Sequence, residues 1–193
     1  MEVVIARFNE DVSWSRHFDN VIVYNKGQQL EDNEQQISRT QQVQLPNVGR
    51  ETQTYLHHIV TRYDNLEDVT LFTQGWPWDH CYETDMQNAH ETYRFRLLSK
   101  ELLTETFAEP EYHPGLGGML EFVYKTLFVG LPPKYITFGP GAIFAATANA
   151  IRRRSKRFYE VAHYIAWEVE EAGYAFERLW PIIFSQQVDC FTE

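Results

Sequence analysis

The chain has 193 residues, 44% hydrophobic and 15% aromatic, enough for one domain with a substantial core. Its formal net charge of -10 excludes a general nucleic-acid binder, and no apolar run approaches the ~20 residues of a membrane span. Two cysteines, Cys81 and Cys190, are too few for a disulfide framework, so a reducing, cytoplasmic setting is expected, with one bridge between them as the alternative.

Residues 3–8, VVIARF, form a nearly continuous apolar run, as in a strand buried on both faces, and no cleavable signal precedes it. Trp14 and Phe18 suggest a short helix. Residues 20–24, NVIVY, read as a second buried strand, ended by Asn25, Lys26 and Gly27. Residues 28–44 are polar and Gln-rich, an irregular excursion that closes in a short strand over 42–45. A helix follows, with Tyr55, Leu56, Ile59, Val60 and Tyr63 on its apolar side and Asn47 as candidate N-cap. Residues 69–73, VTLFT, form the central strand, broken by Gln74, Gly75 and the Trp76-Pro77-Trp78 stretch. Strand and helix alternate over these first eighty residues, which predicts an α/β domain with a mainly parallel, helix-flanked sheet.

Residues 79–107 read as mostly helical and charged, and 113–118 as a flexible loop. Residues 119–128 fit helix or strand. Residues 135–138 read as a strand, 139–141 as a turn and 142–146 as a further apolar segment. A helix carrying Phe158, Val161, Ala162, Ile165 and Val169 is expected to end at Gly173. A last helix spans 174–188, with Pro181 as a kink or restart.

Polar clusters fall at or just past four strand ends: Arg7, Asn9 and Glu10; Asn25 and Lys26; Asn47, Gly49 and Arg50; Gln74, Asp79 and His80. In a parallel sheet these ends share one edge, so the clusters should line one crevice. Gly49 and Arg50 at a helix start suit a phosphate, through the dipole, a close backbone approach and a planar donor fork. Turn and capping chemistry is the plainer reading of the asparagines. Asp79 could hold a hard divalent cation or merely cap the next helix. Glu177 could act as a general base or as half of an ion pair with Arg178. The run Arg152, Arg153, Arg154, Lys156 and Arg157 is either a solvated helix end or a lure for a phosphorylated or acidic ligand. GxxxxGK[ST], GxGxxG after the first strand, HExxH and GxSxG are all absent, and the spacing around His80 and Cys81 does not make a structural zinc site.

The motifs ARFNED (6–11), YNKG (24–27), LPNVGRE (45–51), YLHH (55–58), YDNL (63–66) and FTQG (72–75), with Asp79 and His80, occur in that order, followed by FGPGA (138–142) and ERLW (177–180). Together they resemble a family of fungal and viral proteins related to small GT-A glycosyltransferases, over nearly the whole chain. LPNVGRE is the most specific piece. The resemblance implies a single GT-A-like domain over 1–193. It also implies a nucleotide-diphospho-sugar donor, with uridine the expected base, a glycan or protein-linked sugar acceptor, and Mn2+ or Mg2+. By position, Phe8, Asn9 and Glu10 resemble the nucleotide-binding turn after the first strand, Asn25 and Lys26 fall where the second strand meets the base, and Gly49 and Arg50 fall on the diphosphate side; Arg7, Asn47 and Gln74, from the same polar clusters, complete the expected donor-binding set. Asp79 falls near the metal, with Asp79 or Glu177 as the catalytic carboxylate. The sequence departs from the pattern at the end of the central strand, where Gln74, Gly75 and Trp76 stand in place of an Asp-x-Asp pair. That departure keeps two other readings in view: a non-catalytic nucleotide-sugar binding module, and a protein-interaction domain using the surface around Trp76 and Trp78.

Overall fold

A computed structural model describes residues 1–29, 40–185 and 187–191. Strand β1 (Glu2–Arg7) lies between β2 (Val21–Asn25) and β4 (Val69–Gln74), and β2 pairs on its other side with β3 (Thr40–Gln44). All four are parallel, with Val4 opposite both Ile22 and Phe72. The sheet continues through β8 (Phe144–Thr147), antiparallel to β4, to the edge strand β5 (Phe95–Leu97), giving the order β3-β2-β1-β4-β8-β5. Strands β6 (Leu103–Thr106) and β7 (Tyr135–Phe138) form a separate antiparallel ribbon. The parallel α/β architecture expected from the alternating pattern is therefore present, in mixed form.

The continuous apolar run in β1 has a direct cause. Val4 packs into one hydrophobic cluster, while Val3 and Ile5 pack into a second on the other face. The first cluster is the larger. It is covered by α1 (Arg50–Arg62), α3 (Gly117–Leu127), the one-turn α4 (Ala148–Ile151), α5 (Lys156–Glu168) and α6 (Ala172–Ile183). Tyr55, Phe72, Phe144 and Trp180 form its aromatic centre; the Phe144 ring lies 5.0 Å from Phe72 and 4.9 Å from Trp180. The second face is covered by a 3-10 turn (Ser13–His17), by Trp14 and Trp78, and by the short α2 (Glu83–Gln87).

Several expectations change. Residues 79–107 are not mostly helical: α2 and a 3-10 turn (Asn88–Glu91) give way to β5 and β6. The alternation in FRL and LTET is too short to read without its partners, and those strands form because β8 and β7 offer antiparallel edges. The ambiguous segment 119–128 lies largely in helix α3. Helix α5 stops at Glu168, and Gly173 sits inside α6, which ends at Ile183 with Pro181 in its last turn. Asn47 does not cap α1; Gly49 occupies that position, in the left-handed region at φ 60° and with no side-chain cap. Cys81 is buried, Cys190 is exposed and both thiols are free. Most of the Gln-rich excursion, 30–39, lies outside the described residues.

Candidate functional site

The strand order places a topological switch between β1 and β4: β2 and β3 lie to one side of β1, and β4 to the other. Parallel sheets open a crevice at such a point, beyond the carboxyl ends of the strands. The registers bring Arg7, Asn25, Gln44 and Gln74 to that one edge.

The first two polar clusters are knitted together. The Arg7 guanidinium donates to the Glu10 carbonyl at 2.9 Å, to Asn25 Oδ1 at 2.7 Å and to the Gln28 carbonyl at 2.7 Å. The Asn25 amide donates to the Gln28 carbonyl at 2.8 Å and to Gln44 Oε1 at 3.1 Å. Arg7 and Asn25 are both buried, so they shape the wall rather than face a ligand. Asn9 is exposed, and its Oδ1 accepts the Gln28 N–H at 2.9 Å. Glu10 Oε2 accepts the N–H groups of Phe8 and Asn9, at 2.7 and 3.1 Å. Gly75 lies so close over this carboxylate that an added Cβ would sit 2.5 Å from Oε2, which joins the loops after β1 and β4.

Lys26 is buried and donates through Nζ to the carbonyls of Val48 and Arg50, which locks the entrance of α1. Burial pushes its amine down to about 8, against a weaker upward pull from Glu51. Gly49 is needed here for two reasons: its φ is left-handed, and a Cβ would meet the Ala166 carbonyl at 2.1 Å. Arg50 follows with φ 53°, an uncommon conformation for a non-glycine residue and a form of local strain that clusters at functional sites. Its guanidinium lies 4.6 Å from the Tyr174 ring centre and donates to the Tyr174 hydroxyl at 3.0 Å. That side chain is 49% exposed. Asn47 is exposed beside this entrance.

A second left-handed pair, Gly141 at φ 84° and Ala142 at φ 51°, shapes the loop before β8. Gln74 Nε2 donates to the Gly141 carbonyl at 2.9 Å, while the Gly141 N–H donates to Glu177 Oε1 at 2.7 Å. Glu177 Oε2 accepts from Arg178 at 3.2 Å, and Arg178 in turn is tied to buried Glu105 at 2.5 Å. Three residues outside the expected set, Glu51, Tyr55 and Tyr174, complete the cluster. Glu51 lies in the first turn of α1, and burial raises its carboxyl, with Glu177 adding to the effect and Arg50 and Lys26 opposing it. Tyr55, one turn on, feels both carboxylates, and its buried hydroxyl has no hydrogen-bond partner among the described residues. Glu51 could have been found in the sequence as the acid closing LPNVGRE, one turn before an apolar stripe. Tyr174 carries no such signal, because its role depends on α6 meeting α1.

Asp79 is exposed and lines a separate pocket of about 320 Å³ that His80, Lys100 and Glu101 also line. Pro140 borders that pocket while its neighbour Gly141 holds Glu177, so the same loop touches both. No three His, Cys, Asp or Glu side chains converge as a metal-holding group among the described residues. With Lys100 beside Asp79, the donor set does not fit a resident Mn2+ or Mg2+ ion.

No helix among the described residues is long and apolar enough to cross a membrane. No curated protein matches the chain. A family model described as protein of unknown function (DUF3431) matches residues 3–193. The chain belongs to that family.

Proposed function

We propose that the protein is a GT-A-like glycosyltransferase that takes a nucleotide-diphospho-sugar, with uridine the expected base, and passes the sugar to a glycan or protein-linked acceptor. One observation carries the reading: at the switch between β1 and β4, Lys26 and Arg50 set the entrance of α1, Gln74 and Glu177 hold the loop 139–142, and Glu51 feels the charges of Arg50, Lys26 and Glu177 together. The nucleoside would lie along the loops after β1 and β2, with Asn9 and Glu10 at their rim. The diphosphate would lie against Arg50, Lys26 and the positive end of the α1 dipole.

In this reading Glu177 takes the proton from the acceptor hydroxyl. The acceptor oxygen bonds to the anomeric carbon, and the bond from that carbon to the diphosphate breaks with its electron pair leaving on phosphate. Arg50 and Lys26 offset the charge that builds there. Gly141 and Arg178 hold the Glu177 carboxylate in place, as a positioned base requires. A divalent cation enters only as a companion of the donor phosphates, and no step depends on it. A cytoplasmic location remains part of the proposal, in keeping with two free thiols.

One observation favours a second reading, a non-catalytic nucleotide-sugar binding module: both oxygens of Glu177 are already engaged. The interaction-domain reading weakens, since Trp78 packs on Trp14 with ring centres 5.4 Å apart, and Trp76, at 46% exposure, is left as the open ring of the pair. Thermal shift with a panel of nucleotides and nucleotide-sugars tests the proposal. A uridine diphosphate sugar should raise the melting temperature more than uridine does. If no nucleotide raises it, with or without manganese, the transferase and the binding module both fall.

A further inference from the structure

We propose that a second pocket, at the opposite edge of the sheet from the crevice, binds a phosphate group as inorganic phosphate or a phosphomonoester. The pocket lies where Val69 opens β4 and Thr147 closes β8, residues that pair across the two strands. Its volume is about 660 Å³, and Arg94, Arg152 and Arg153 line it. Asp68 is the one carboxylate in that lining, so three arginines line the pocket with a single acid in a protein whose net charge is -10.

Arg94 is the central observation. Its backbone is fixed, because its carbonyl accepts the Thr147 N–H at 2.9 Å. Its Nε and Nη2 are sealed from solvent and have no hydrogen-bond partner among the described residues. Arg94 as a whole is half-buried, but guanidinium nitrogens sealed from water without an acceptor carry a desolvation cost. An anion in the pocket removes that cost once a small rotation of the side chain turns those nitrogens toward it. A planar guanidinium fork matches the oxygens of phosphate.

The basic run beside the pocket divides by role. Arg154 is buried, bonded to Asp189 at 2.9 Å and to the Ile183 carbonyl at 2.9 Å, and holds the C-terminal segment. Lys156 pairs with Asp64 at 3.6 Å and Arg157 with Glu160 at 3.4 Å. Arg152 and Arg153 are exposed at the pocket; Arg152 Nε donates to the Tyr63 carbonyl at 3.2 Å, and Arg153 makes no ion pair among the described residues. Tyr93, 97% exposed, stands at the pocket as an aromatic platform for whatever carries the phosphate. A bounded pocket on an acidic protein suits a small ligand better than a nucleic acid.

The test is amide chemical-shift mapping of the full chain titrated with inorganic phosphate at constant ionic strength, with chloride as the control. Saturable shifts should appear at Arg94 and over 147–153. Arg153→Ala and Arg94→Gln should each weaken them about tenfold or more, while Arg50→Ala in the crevice leaves them intact. Arg153 is exposed, so its variant keeps the test open even if Arg94→Gln folds poorly. Absent or non-saturating shifts, equal shifts with chloride, or undiminished shifts in Arg153→Ala would overturn the proposal. Vesicles of phosphatidylcholine with and without a phosphoinositide separate the sources: co-sedimentation lost in Arg153→Ala assigns a lipid headgroup, and free-phosphate binding without co-sedimentation assigns a soluble ligand.

Discussion

Raising the pH from 7 to 9 should weaken nucleotide-sugar binding by close to tenfold. Burial holds the Lys26 amine at about 8, well below the usual lysine value of 10.5. Its charged fraction therefore falls from about nine-tenths at pH 7 to about one-tenth at pH 9. A charge-assisted contact to the diphosphate is worth roughly 1.5–3 kcal/mol, so losing the cation costs about tenfold or more in affinity. The diphosphate of such a donor has no proton to lose in that range, but the uracil N3–H begins to ionise at its alkaline end, so the Lys26 effect is read against a variant that lacks the amine. The same titration acts on stability in the opposite sense. The folded amine releases its proton at about 8, while an unfolded lysine keeps it to about 10.4. Stability from this group is lowest below pH 8 and rises as the pH climbs from 8 toward 10.4, by about 3 kcal/mol in all. Isothermal calorimetry across pH 7–9 measures the first effect, with Lys26→Gln as the control expected to show only the shallower fall that uracil ionisation causes. Unchanged affinity across that range, or the same slope in Lys26→Gln, would refute the placement of Lys26 beside the diphosphate.

Other perturbations separate ligand contacts from architecture. Arg50→Ala should cut affinity for uridine diphosphate about tenfold while uridine binding holds; equal losses would make Arg50 a support for α6 through Tyr174. Asp79→Asn should leave the melting temperature unchanged and nucleotide-sugar affinity within about twofold of the parent, with or without manganese, because Asp79 is exposed and shares its pocket with Lys100; a selective loss of manganese-dependent binding would establish Asp79 as a metal ligand. Glu105→Leu removes the nearer of the two carboxylates on the buried Arg178 cation and leaves Glu177 alone beside it, so urea denaturation should show a loss of about 3 kcal/mol, and a change under 1 kcal/mol would mean that the pair does not hold α6 in place.

Much of the fold was legible because its signals are local. The apolar run in β1 and the stripe Tyr55, Leu56 and Ile59 on α1 are patterns that short-range burial writes into sequence. The convergence of Arg7, Asn25 and Gln74 on one edge followed from parallel pairing alone. What escaped depends on partners distant in the chain. Strand β5 has three residues and exists because β8 lies beside it. Gly173 looks like a helix stop, yet it is enclosed in α6, where its lack of a side chain admits Arg50. Glu51 and Tyr174 join the site only once α6 packs on α1. Sequence could also not tell that Arg7 and Asn25 satisfy each other and that Gly141 and Arg178 hold Glu177, whereas Arg50 stays half-exposed.

The central claim is that a nucleotide diphosphate sits at the β1–β4 switch. The most direct test is a crystal structure of the protein with a uridine diphosphate sugar bound. The account predicts the diphosphate within hydrogen-bond distance of the Arg50 guanidinium and next to Lys26, with the sugar facing Glu177. A ligand bound on another face, with the loops after β1 and β4 unoccupied, would contradict it.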